Sequence, residues 1–170
     1  MNLALVGFMG VGKTEVGRIL AERLGLTFID LDSEVERLAG KPIPSIFEED
    51  GEPVFRMLEK RLTREFSALD GQVISCGGGT ILDPDNLRSL RMNSLIILLT
   101  ARLDSIIERL RGEGDSRPLL RAGDKLERIR ALYLQRMDIY QASADITIDT
   151  SDMTPEQVAT EIIRHLGADT

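Results

Sequence analysis

A chain of 170 residues is long enough for one well-filled core, and 42% apolar residues point to a packed domain rather than disorder. The net charge of -7 argues against nucleic acid as a partner, because a phosphate-backbone surface needs a basic balance. A lone cysteine, Cys76, excludes an internal disulfide, and a single histidine, His165, leaves too few parts for a zinc site or a histidine-based triad.

Residues 3–6 are a short continuous apolar run stopped by Gly7, which reads as a strand buried on both faces. Val16, Ile19, Leu20 and Leu24 follow at helical spacing, with Gly25 as a natural stop. Residues 27–29 read as a second strand ending in Asp30. Residues 33–39 look helical and are closed by Gly40; Pro42 and Pro44 then break the chain before another helical stretch. The longest helix is expected from Glu52 or Pro53 to Leu69, with Phe55, Leu58, Leu62 and Phe66 on one face. Residues 72–75 form a strand that runs into Gly77-Gly78-Gly79, and Asp83-Pro84 has the form of an N-cap and first-turn proline. A buried strand over 95–99 and a helix over 103–110 come next. Residues 112–123, with three glycines, a proline and several charges, read as a mobile surface loop. Helix returns over 125–139, and 146–148 is the last strand. Thr154-Pro155-Glu156-Gln157 is a capping box opening a helix with Val158, Ile162 and Leu166 inward. His165 falls in its last turn, where a partial positive charge suits the dipole.

Strands alternate with helices throughout, which predicts an α/β fold with a parallel sheet covered on both faces in a single domain over 1–170. Ligands of such sheets bind beyond the carboxyl ends of the strands, and Gly7, Asp30 and Gly77 all stand there. No stretch reaches the length of a membrane span, and no basic leader precedes the first apolar run. The expected compartment is the cytoplasm.

Gly7-Phe8-Met9-Gly10-Val11-Gly12-Lys13-Thr14 fits the pattern G-x-x-x-x-G-K-[ST] between a strand and a helix. Glycines let backbone N–H groups turn in around phosphate oxygens, Lys13 reaches the β- and γ-phosphates, and the Thr14 hydroxyl offers a ligand to Mg²⁺. Asp30 and Asp32 form D-x-D at a strand end. They could serve a metal shell or a substrate hydroxyl, or Asp32 or Ser33 could merely cap the next helix. Arg56 and Glu59, one turn apart, could be an ordinary surface pair. The triple glycine permits close backbone approach to a ligand, or is a plain wide turn. By composition alone, Arg117 and Arg136 read as solvated arginines and Cys76 as a small buried residue.

The ordered set of motifs resembles the shikimate kinase family over nearly the whole chain. It comprises residues 7–14, Phe28-Ile29-Asp30-Leu31-Asp32 with Glu36, Gly51-Glu52 with Phe55-Arg56 and Glu59, Gly77-Gly78-Gly79, Arg117-Pro118-Leu119-Leu120, and Arg136 with Tyr140. The resemblance implies a three-layer α/β/α fold of the nucleoside-monophosphate-kinase type. Its five-stranded parallel sheet is accompanied by a substrate-binding region at about 31–60 and a mobile lid at about 112–123. It implies transfer of phosphate from ATP, with Mg²⁺, to the 3-hydroxyl of shikimate, on the route to chorismate and the aromatic amino acids. Lys13, Asp32 and Arg117 would then be catalytic. ATP would contact Gly10, Val11, Gly12, Lys13, Thr14, Glu15, Arg109, Arg117, Met153 and Pro155. Shikimate would be held by Asp32, Arg56, Gly77, Gly78, Gly79 and Arg136, with Glu59 orienting Arg56. Thr14 would bind the metal and Asp30 would reach it through water. Thr14 stands where serine is commoner in the family, and Met153 where some members carry an arginine beside adenine. The implied protein is a monomer with ATP and shikimate as partners, without nucleic acid or membrane. A gluconate kinase of the same fold, a GTPase-like switch and a P-loop module without catalysis are the competing readings. The paired arginines and triple glycine disfavour the first, the missing N-K-x-D element the second, and the complete motif set the third.

Overall fold

The computed structural model describes residues 1–111 and 125–167. Apolar runs without alternation cannot leave either face in water. They accordingly occupy the middle of one five-stranded sheet as β1 (Asn2–Val6), β3 (Gln72–Ser75) and β4 (Ser94–Thr100). The more polar β2 (Thr27–Asp30) and β5 (Ile146–Asp149) take the edges. The strand order is β2-β3-β1-β4-β5 and every pairing is parallel, with Leu5 opposite both Ser75 and Ile97.

Helices α1 (Lys13–Leu24), α2 (Leu31–Ala39), α3 (Ile43–Glu49), α4 (Glu52–Ser67), α5 (Pro84–Asn93), α6 (Leu103–Arg111), α7 (Lys125–Ser143) and α8 (Pro155–Gly167) connect and cover the strands. A 3-10 turn spans Thr80–Leu82. α1 packs on α8, and α4 on α5 and α2. Leu5, Leu20, Ile74, Ile96, Ile97 and Leu98 have no exposed surface and form the centre of the core. From β1 the chain crosses to the edge strand β2, returns to β3 and then passes β1 to reach β4 and β5, so the connections leave the neighbours β1 and β4 in opposite directions and open a crevice beyond their carboxyl ends.

The cap chemistry legible in the sequence is present. Asp83 accepts from the Asp85 N–H, and Thr154 and Gln157 exchange side-chain to backbone hydrogen bonds of 3.2 and 2.9 Å. Three expectations need correction. α2 begins at Leu31 rather than residue 33, because its cap is Asp30, which accepts from the Ser33 N–H at 3.3 Å; neither Asp32 nor Ser33 is the cap. α4 stops at Ser67, and the longest helix among the described residues is α7, with 19 residues against 16. α7 runs on to Ser143 because Tyr140 and Ser143 are buried and continue its inward face.

Candidate active site

The phosphate loop leaves β1 and passes through positive φ three times, at Gly7 (148°), Gly10 (82°) and Gly12 (91°). Gly12 is the N-cap of α1 and provides no side-chain cap, so the first N–H groups of that helix have no partner within the helix. A Cβ on Gly12 would meet nothing within 4 Å, so the space in front of the loop is open. Lys13 donates from Nζ to the Gly7 and Phe8 carbonyls at 2.7 and 3.0 Å and lies across the loop. The Thr14 hydroxyl donates to Asp30 Oδ2 at 3.1 Å, so the second oxygen of the α2 cap faces the loop. Arg109 reaches over from α6 to the Gly10 carbonyl at 3.1 Å. These residues line a cavity of about 630 Å³ that extends from Asp30 and Asp32 to Thr150, Met153 and Pro155.

A second cavity, of about 440 Å³, opens on the other side of Asp32. Glu36, Ile43, Phe47, Phe55, Arg56, Glu59 and Arg136 contribute to it. Arg56 and Glu59 are no surface pair: Glu59 is 2% exposed, accepts from Arg56 Nη1 at 3.0 Å and from the Thr80 hydroxyl at 2.9 Å. A carboxylate buried with both oxygens bonded fixes the guanidinium that it holds. Arg136 is not solvated either, being 6% exposed. A planar cation buried at the wall of a cavity is a site for an anion.

The triple glycine closes the gap between these groups. None of the three has positive φ, so backbone conformation does not explain them. Space does. A Cβ on Gly77 would stand 2.8 Å from Asp32 Oδ1, one on Gly78 3.3 Å from Arg136 Nη1, and one on Gly79 2.7 Å from Arg56 Nη1. Each glycine admits one charged side chain to the backbone. The two cavities meet at this wall, sharing Met9, Asp32, Gly77 and Gly78.

A sequence model of the shikimate kinase family matches residues 9–167. The shikimate kinase of Caldanaerobacter subterraneus is 47% identical over 163 residues, covering 96% of this chain and 94% of that protein. That of Persephonella marina is 44% identical over 162 residues, covering 95% of this chain and 96% of its relative. This chain belongs to the shikimate kinase family. Among solved structures, the shikimate kinase of Acinetobacter baumannii in complex with shikimate superposes with a TM-score of 0.94 at 34% identity, covering 99% of this chain and 94% of that one. The Aquifex aeolicus shikimate kinase gives 0.86 at 34% identity, with 99% and 98% covered.

Within this shikimate kinase fold, the remaining sequence candidates are placed as follows. Glu15 is exposed in the first turn of α1 and lines the first cavity together with Val11. Met153 is 36% exposed at the far end of that cavity, its N–H bonded to the Thr150 carbonyl at 3.2 Å. Arg117 and the lid expected at 112–123 lie outside the described residues. Sequence reasoning did not single out Phe47 or Ile43 as wall residues of the second cavity, nor Thr150 and Cys76 for the first. The aromatic pair Phe47–Phe55, with ring centroids 5.0 Å apart, stands in the Pro42-to-Phe55 stretch whose broken periodicity was the available signal. Cys76 is buried, and desolvation pushes its thiol up to about 12, so it has no nucleophilic role.

Proposed function

We propose that the protein transfers the γ-phosphoryl group of ATP to the 3-hydroxyl of shikimate, giving shikimate 3-phosphate and ADP. The observation that carries this reading is the pair of cavities meeting at Met9, Asp32, Gly77 and Gly78: one carries an anion cradle, the other two guanidinium groups. Phosphoryl transfer asks a protein mainly for in-line placement and neutralised charge. The cradle N–H groups and Lys13 take the triphosphate, while Arg109, Met153 and Pro155 border the base. Arg56 and Arg136 take the shikimate carboxylate as planar forks, with Glu59 holding Arg56 in place. Asp32, between the cavities, accepts hydrogen bonds from the acceptor hydroxyls and is placed to receive the proton of the attacking one. Arg117, assigned from its motif alone, adds positive charge to the transferring phosphate.

The residues beside the cradle fit Mg²⁺. Thr14 Oγ1 and Asp30 Oδ2 are hard oxygen donors 3.1 Å apart. Among the described residues no cluster of three metal-ligating side chains exists, which suits a cation that keeps water and phosphate oxygens as its other ligands. Thr14 would hold it directly and Asp30 through water, and when bound it neutralises phosphate charge. No helix among the described residues is long and apolar enough to cross a membrane. The proposal includes a monomer working in the cytoplasm.

A coupled assay for ADP with shikimate, with gluconate and without acceptor tests the reading. Shikimate-dependent ADP release is expected. Turnover of gluconate with none of shikimate would overturn it.

A further inference from the structure

Tyr140 is the largest fully buried side chain among the described residues. A phenol in such a place needs a partner for its hydroxyl. The hydroxyl donates to the Gly78 carbonyl, and Arg136, one turn earlier on α7, stands beside the same glycine. Gly78 belongs to the wall between the two cavities. Around the point where its Cβ would stand lie Arg136 Nη1 at 3.3 Å, the Met9 backbone nitrogen at 3.7 Å and Tyr140 Oη at 3.8 Å. Clamp, phosphate loop and phenol thus converge on one peptide. α7 also touches the loop directly, since Tyr133 meets Phe8 edge-on with centroids 5.7 Å apart.

We propose that Tyr140 is a positioning residue for phosphoryl transfer: its hydroxyl fixes the Gly78 peptide, beside which the Arg136 guanidinium stands, and so sets the spacing between acceptor and phosphate loop. This rests on the kinase reading above. A satisfied core tyrosine could bond any nearby carbonyl. Here the acceptor is the dividing wall, and the glycine it belongs to is the one beside which Arg136 stands. The charged groups facing it are Arg136 from α7 and Arg56 from α4, both of which favour the phenolate. Burial outweighs them and pushes the phenol up, so it keeps its proton and remains a donor at neutral and mildly alkaline pH.

Tyr140→Phe keeps the ring and removes the hydroxyl. In-line transfer is sensitive to displacements well below an ångström, so kcat is expected to fall about tenfold or more. KM for shikimate should rise and KM for ATP should stay unchanged. Ile129→Val, a core change on the same helix, should lower Tm without moving either constant. A Tyr140→Phe protein with wild-type kcat and KM overturns the proposal. Should that variant fail to fold, a nearly isosteric change remains. The chain has 2 tyrosines, so in a Tyr133→Phe background 3,5-difluorotyrosine enters at position 140 alone. Its more acidic phenol should make kcat decline at a lower pH than in the unlabelled Tyr133→Phe protein, as the donor is lost and the phenolate repels the Gly78 carbonyl. Superimposable profiles overturn the positioning role. Wild-type protein that turns over no shikimate would overturn the kinase reading and this inference with it, whereas active wild type with unaltered variants overturns this inference alone.

Discussion

An alanine at 77, 78 or 79 would drive its methyl group into a different side chain at each position: Asp32, Arg136 or Arg56. At Gly79 the obstructing atoms are the far end of a flexible arginine, so the side chain yields and the fold survives. Gly79→Ala is therefore expected to raise KM for shikimate by roughly tenfold, the worth of one misdirected charge-assisted contact, with KM for ATP and Tm nearly unchanged in steady-state assays and thermal melts. Arg136 is the clearer test of the clamp, being buried where no ion pair with a described carboxylate holds it. Arg136→Ala should weaken shikimate binding by about 2 kcal/mol, roughly thirtyfold, in calorimetry while ATP affinity stays intact. Unchanged shikimate affinity would remove Arg136 from the site.

Among elements, α3 depends on a residue outside itself. Its N-cap is Pro42, without a side-chain cap, and the Ile43 N–H is satisfied instead by Glu36 Oε2 of α2 at 2.8 Å. Ile43 and Phe47 of α3 wall the acceptor cavity. Glu36→Ala should therefore loosen that wall: a cap-like loss of about 1 kcal/mol, read as a raised KM for shikimate with KM for ATP unaltered. The elements legible in the sequence are those whose ends carry local chemistry, such as Gly25 after α1, Asp83 before α5 and Thr154 before α8. The wide turn between α2 and α4 was less legible because Glu36 caps α3 from seven residues away. α7 misled for another reason. Its inward residues Ile129, Arg136, Tyr140 and Ser143 are mostly polar, while Leu134 is 67% exposed, so residue type points away from the buried face. Arg56, Glu59 and Arg136 became legible as a group through the ordered motif set; spacing along the chain could not show that three glycines bring them to one wall.

At the scale of the whole molecule, Cys76 reports how firmly the fold is closed. With its thiol pushed up to about 12, roughly one in ten thousand is ionised at pH 8, and the sulfur is buried at the strand end besides. A disulfide exchange reagent should leave the native protein unlabelled for hours and label one thiol at once in denaturant. Because Cys76 lines the cavity beside the phosphate loop, ATP at about a hundred times its Kd should slow labelling by a further factor of about a hundred. Labelling as fast in the native as in the denatured protein would contradict the burial. The sheet order has a consequence for synthesis. β1 leaves the ribosome before β3 and β4, yet it lies between them, hydrogen-bonded to both, and their residues end at Ser75 and Thr100. Translation therefore delivers the phosphate-loop sequence long before the neighbours that hold its strand, and these pairings are distant along the chain and slow to form. A nascent chain has the motif without the cradle, and the nucleotide is shut out until synthesis has passed Thr100.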